Sequence, residues 1–221
     1  MKLFVVCLDN GEWLTDLSTQ TFQDFECCII KPNRIDLCTL INEKIQSISS
    51  DYLVFVHEDV VSLPDRFQEQ VSYLDDNEKI AAVGSYVNVF KKNKVTNILQ
   101  YPDTPIRCYG DFYLRRQNFV FDYAVMMRHS SFMAAGGMSR IVRNSERQLH
   151  AALFLSLWAR IMHTHGKFSN IKKSLVQCNF LSTLHHEDYI GEKDLVWGMF
   201  RRKTFQIQPL QHLSNKLFGM L

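Results

Sequence analysis

The apolar run Tyr52, Leu53, Val54, Phe55, Val56 ends abruptly in His57, Glu58 and Asp59. Five core-forming residues followed at once by an imidazole and two carboxylates put ionisable groups where a buried strand leaves the interior. Carboxylate oxygens there can hold a hard divalent cation, and an imidazole beside them is tolerated by Mn²⁺. The same residues can equally form a solvated acidic turn that only ends the strand, and residue type and spacing weigh the two readings alike. Proton-transfer candidates are more scattered. Asp122 stands between Phe121 and Tyr123 and needs a polar partner if it is buried. Glu146 precedes a helical pattern, so it suits either a base or a first-turn carboxylate favoured by the helix dipole. His185, His186, Glu187 and Asp188 suit a polar loop or a ligand cluster, and Asp9, Asn10 and Gly11 suit a turn.

The elements that must position these groups alternate between strand and helix. Continuous apolar runs at residues 3–8, 25–30 and 52–56 predict strands buried in a parallel sheet, and residues 80–89 predict another. Apolar spacing of three and four predicts helices over residues 35–48, 64–74 and, most clearly, 148–163, with Gly166 as a left-handed stop. Residues 119–128 read as a strand, residues 174–178 as a late strand, and residues 91–118 as loop with at most one strand. Gly136 and Gly137 mark a tight turn. Alternation of this kind predicts an α/β layer structure with a mostly parallel sheet flanked by helices.

Several segments, in order, carry a resemblance. They are Asn10-Gly11; Gln20 to Glu26; Asp51 to Asp59 with Pro64; Ile80 to Ser85; Val125 to Arg128 with Phe132 and Gly136-Gly137; Leu157 to Arg160; and Gly166 to Ile171. Over roughly residues 3–180 this order and spacing resembles family 2 glycosyltransferases of the GT-A fold. The resemblance implies a GT-A-like, Rossmann-related domain that transfers a sugar from a nucleotide-sugar donor to a glycan, lipid-linked or protein acceptor. It also implies a divalent cation, Mn²⁺ or Mg²⁺.

Carried over residue by residue, the resemblance makes Asp59 the metal ligand, with His57 and a late His185 completing the shell. Asp9 and Asn10 would contact the nucleotide and Glu58 the ribose; where this chain departs from the family, Lys31 is the candidate for a phosphate, and Asp122 or Glu146, by its own chemistry, for the acceptor's proton. This chain departs from the family at three places. Lys31, Pro32 and Asn33 follow the second strand where the family has a donor-contacting acid, and His57 replaces the first acid of the metal motif. Leu153 and Phe154 stand where the family carries an acidic pair that includes its general base. An alternative expectation follows from the last departure: an inactive descendant that binds a nucleotide sugar or a partner enzyme.

A formal charge of +2 over 221 residues gives no electrostatic argument for a nucleic-acid partner. Six cysteines without a Cys-x-x-Cys pair read as reduced thiols, which suits the cytoplasm. No apolar run reaches the roughly 18 residues of a spanning helix. The expected organisation is one domain over residues 1–190 and a helical, basic and aromatic element over residues 191–221 packed on it. That element also suits peripheral contact with a membrane or contact with a second copy of the chain.

Overall fold

A computed structural model of the chain describes residues 1–8, 14–31, 37–57, 59–91, 94–115, 117–139, 146–164 and 166–179. The sequence reading of residues 191–221 therefore lies outside the described residues.

Strand β1 (Leu3–Leu8) is buried along its whole length, and that burial places it inside the sheet, between β2 (Phe25–Ile30) and β3 (Tyr52–His57). Both pairings are parallel, with Leu8 level with Ile30 on one side and with His57 on the other. The sheet continues through β7 (Met126–Arg128), β5 (Ile80–Lys91), β8 (Lys167–Asn179) and β4 (Val60–Ser62), while β6 (Lys94–Leu99) pairs with β5. Because β7 is antiparallel to both β3 and β5, strands β1, β2, β3, β5 and β8 all point one way. The mostly parallel sheet expected from the alternating pattern is present.

The side-chain alternation of the central strands divides the core between two faces. Phe4, Val6, Leu8, Leu53 and Phe55 pack with helices α1 (Leu37–Gln46) and α5 (Glu146–His163). Leu3, Val5, Cys7, Tyr52 and Val54 pack on the other face with Phe67, Val71 and Leu74 of α2 (Arg66–Asp76). Each buried Leu, Val or Phe contributes about 1.5–3 kcal/mol relative to exposure, so these two layers dominate the stability of the domain. Among the described residues no helix is long and apolar enough to cross a membrane.

Three local expectations are corrected. Residues 91–118 hold more than loop: besides β6 they form α3 (Pro105–Tyr109) and a π-helical turn (Gly110–Leu114). Thr104 accepts a hydrogen bond from the Arg107 amide at 3.3 Å, and Pro105 opens the helix where its missing N–H costs nothing. Residues 119–128 are strand only at β7, because a 3₁₀ turn (Asp122–Ala124) precedes it and lifts Asp122 out of the sheet. Gly166 is not left-handed. A Cβ there would lie 2.6 Å from the Ile161 carbonyl and 3.0 Å from Ala81, so close approach between helix end and sheet, not φ, favours glycine. The left-handed glycines are Gly136 and Gly137, with φ of 77° and 71°, just after α4 (His129–Ala134).

Candidate active site

In an open parallel sheet, ligands bind beyond the carboxyl ends of the strands. Here β1, β2 and β3 end level with one another, so the residues that follow them share one edge. Lys31, exposed just past β2, lies two strand spacings from His57, about 10 Å. Asp9, Asn10, Glu58 and His185 lie outside the described residues. Glu146 opens α5, but its side chain is not among those described.

His57 and Asp59 are held together. The backbone N–H of Asp59 donates to His57 Nδ1 at 3.2 Å, whereas the Asp59 carboxylate is 3.8 Å from the same nitrogen, beyond hydrogen-bonding distance. The imidazole is 23% exposed and the carboxylate 59%, so both reach solvent at the strand end.

Behind His57 lies a ladder of rings. Tyr123 packs on the imidazole at 4.9 Å between centroids and a tilt of 37°, and Phe154 meets Tyr123 edge-on at 5.3 Å. Phe154 then stacks on Trp158 one helical turn later, at 5.6 Å, and contacts Phe55 of β3 edge-on. The Trp158 indole N–H donates to Asp122 Oδ1 at 2.7 Å, which closes the circuit, since Asp122 and Tyr123 are neighbours on the 3₁₀ turn.

The charges of both carboxylates act on this ladder. Desolvation pushes the Tyr123 phenol well above its ordinary range, and the charges of Asp122 and Asp59 add to it. Desolvation, then Asp122, does the same to Tyr101. Burial, then Asp59, pushes the Cys178 thiol up to about 11, so it is protonated at neutral pH. The structure thus joins His57 to Asp59 directly and to Asp122 only through its neighbour Tyr123, while Lys31 follows the end of β2.

Tyr123, Phe154 and Trp158 were not singled out from the sequence as site residues. The sequence offered Phe154 only as the residue standing in place of a family acid, and Trp158 only as part of the resembling segment Leu157 to Arg160. Phe154 is 2% exposed and occupies its position as a core side chain. Among the described residues no group of three or more His, Cys, Asp or Glu is gathered as a metal site.

Comparison with solved structures finds the same fold in S. aureus TarS residues 1–349, with a TM-score of 0.57 at 13% identity, covering 89% of this chain and 64% of that one. The TarS 1–349 complex with UDP-GlcNAc gives 0.54 at 12% identity, covering 81% and 58%. The complex with UDP gives 0.52 at 13%, covering 94% and 73%. The present chain therefore spans only 64% of the first of these. No curated protein sequence matches. Residues 3–153, more than half of the chain, match the profile described as Glycosyl transferase family 2. With its GT-A-like sheet and a match over more than half of its length, the chain belongs to glycosyl transferase family 2.

Proposed function

We propose that this domain transfers a glycosyl group from a nucleoside-diphosphate sugar to a hydroxyl of a glycan, lipid-linked or protein acceptor, with Asp59 holding the donor's diphosphate through a divalent cation. The supporting observation is that Asp59, a candidate metal ligand, is bonded through its amide to His57, whose ring packs on Tyr123, the chain neighbour of Asp122, a candidate base. TarS, a neighbour in fold, was solved with UDP and with UDP-GlcNAc, which makes a uridine diphosphate the first donor to test.

One exposed carboxylate does not build a resident cation site. It does fit Mg²⁺ or Mn²⁺ arriving with a diphosphate, because such ions keep most of their shell as water and phosphate and take one or two carboxylates from the protein. Bound there, the ion would neutralise charge on the departing diphosphate. Asp122 is the described carboxylate best placed to take the acceptor's proton, held in orientation by the Trp158 indole. Lys31 would meet a phosphate from the β2 side.

Calorimetric titration of UDP, GDP, CDP and ADP, with Mn²⁺ and with EDTA, tests this reading. At least one nucleotide is expected to bind in a cation-dependent way, and Asp59→Asn to weaken it at least about tenfold, the loss of a charge-assisted contact. Binding unchanged by that substitution would sink the proposal.

A second reading is favoured by Phe154. A buried ring at the family's acidic position supports a domain that binds the donor without turning it over. Measuring release of nucleotide from a bound sugar donor separates the two.

A further inference from the structure

We infer that the helix formed by α3 and the π-helical turn docks on the surface of an anionic phospholipid bilayer, through Ile106, Tyr109 and Leu114 with Arg107 and Arg115 beside them. The inference goes beyond the glycosyltransferase reading and does not depend on it.

The helical backbone runs unbroken from Pro105 to Leu114, with φ and ψ of −62° and −46° at Tyr109 and −60° and −44° at Gly110. Cys108 and Phe112 are buried on its inner side, where Phe112 meets Phe119 edge-on at 5.0 Å. The outer side is apolar too. Ile106, Tyr109 and Leu114 follow the i, i+3, i+8 spacing of one helical face, and all three are exposed. Ile106 is 85% exposed and Leu114 79%, while among the described residues no other large apolar side chain exceeds 49%. A surface helix turns polar residues to solvent, so an apolar stripe on both sides belongs to a helix with a partner on each.

The outer stripe is held in place. Tyr109 packs on Tyr113 at 4.7 Å between ring centroids, and the Tyr113 hydroxyl donates to the Ala159 carbonyl of α5 at 3.2 Å.

Charge identifies the partner. Arg107 and Arg115 are 66% and 71% exposed, whereas the carboxylates they meet, Asp103 and Asp111, are 18% and 20% exposed. Asp103 is also shared with Lys172, at 2.6 Å. Cations thus form the outer layer beside the apolar stripe, and carboxylates the inner one. Aliphatic side chains that enter the acyl boundary, a tyrosine at headgroup depth and arginines that reach phosphates suit an interfacial helix on anionic lipid. A soluble polyanion would leave Ile106 and Leu114 in water, and an isologous contact with a second copy would crowd the same arginines together.

The test is co-sedimentation of the full chain with vesicles of phosphatidylcholine alone and of equal parts phosphatidylcholine and phosphatidylglycerol. Wild type is expected to partition onto the mixed vesicles at least about tenfold better than onto the neutral ones, and less so as salt rises. The double substitution Ile106→Ser with Leu114→Ser is expected to lower partitioning at least about tenfold. Arg107→Gln with Arg115→Gln is expected to lower it about tenfold on the mixed vesicles only. All four side chains are exposed, so unfolding midpoints near wild type are expected for both variants. No binding of wild type to the mixed vesicles, or binding that the serine variant keeps, would overturn the inference. Wild-type dimers that the serine variant dissolves, seen by sedimentation velocity, would overturn it in favour of a second copy. Nucleotide titration is a separate measurement, so loss of vesicle binding leaves the donor site standing.

Discussion

Trp158 Nε1 and Asp122 Oδ1, separated by 36 positions in the chain, are joined by a 2.7 Å hydrogen bond. This bond fixes the 3₁₀ turn against α5 and so sets where the Tyr123 ring meets His57. A hydrogen bond to a charged acceptor contributes about 1.5–3 kcal/mol. In a double-mutant cycle of Trp158→Phe and Asp122→Ala, read by urea unfolding, a coupling of at least about 1 kcal/mol is expected. Additive effects would mean that the two side chains do not interact in solution.

Gly84 and Asn170 form a second dependent pair. Asn170 Nδ2 donates to the carbonyls of Pro102 at 2.6 Å and Phe119 at 2.8 Å, tying the long segment between β6 and β7 to the sheet. A Cβ at position 84 would overlap Asn170 Oδ1, and Val120 closes in at 3.3 Å. Gly84→Ala is therefore expected to lower stability by about 2–3 kcal/mol, from overpacking and displacement of a buried amide. Because removal of the Asn170 side chain also removes the worst overlap, Gly84→Ala should cost less in an Asn170→Ala background. Chemical unfolding of the four proteins reads this directly, and equal costs in both backgrounds would contradict the contact.

Arg66 tests how a buried charge is carried. Its guanidinium is fully buried, bonded to Ser62 Oγ at 2.8 Å and Gln70 Oε1 at 3.2 Å, and its Nη2 has no hydrogen-bond partner among the described residues. Burial pushes its pKa down from 12.5 to about 9. At pH 7 it is charged in both folded and unfolded states. Above about 9 the folded state sheds the proton that the unfolded chain still holds, so stability from this group rises with pH. Arg66→Met, which fills the volume without the charge, is expected within about 1 kcal/mol of wild type at pH 7, and Arg66→Ala about 2–4 kcal/mol below it. Wild type should gain on Arg66→Met between pH 7 and pH 10, and urea midpoints at the two pH values with unchanged slope would check it.

These residues also mark where reading from sequence stops. Strands β1 and β3 announce themselves because a continuous apolar run has no other economical place than the middle of a parallel sheet. The position of His57 and Asp59 follows from the same fact, since the run ends there. Arg66, by contrast, follows Pro64 and Asp65 and looks like a solvated first helical turn; only the fold buries it, where it meets Ser62 of β4 and Gln70, itself bonded to the Val83 carbonyl of β5. The bond between Trp158 and Asp122 is equally hidden, because local pattern carries no information about partners so distant in sequence. The helix at Pro105 was legible through Thr104 and Pro105, but a polar setting without apolar periodicity masked it.

Phe154 decides whether the missing acid can be restored. The resemblance read from the sequence puts a family carboxylate at this helix position; here the ring is 2% exposed and wedged among Tyr123, Trp158 and Phe55. Phe154→Asp would bury a charge without a partner and open a cavity, and each alone costs several kcal/mol. A stability loss of at least about 3 kcal/mol with no gain in donor turnover is therefore expected. Proton transfer, if the domain is active, must then rest on another group. Asp122→Asn should leave nucleotide binding within about threefold while lowering turnover at least about a hundredfold, a fall in kcat with little change in KM. A stable Phe154→Asp protein with raised turnover would show that the helix position remains open to an acid. Full turnover in Asp122→Asn would remove Asp122 from the chemistry and leave it a role in holding Trp158.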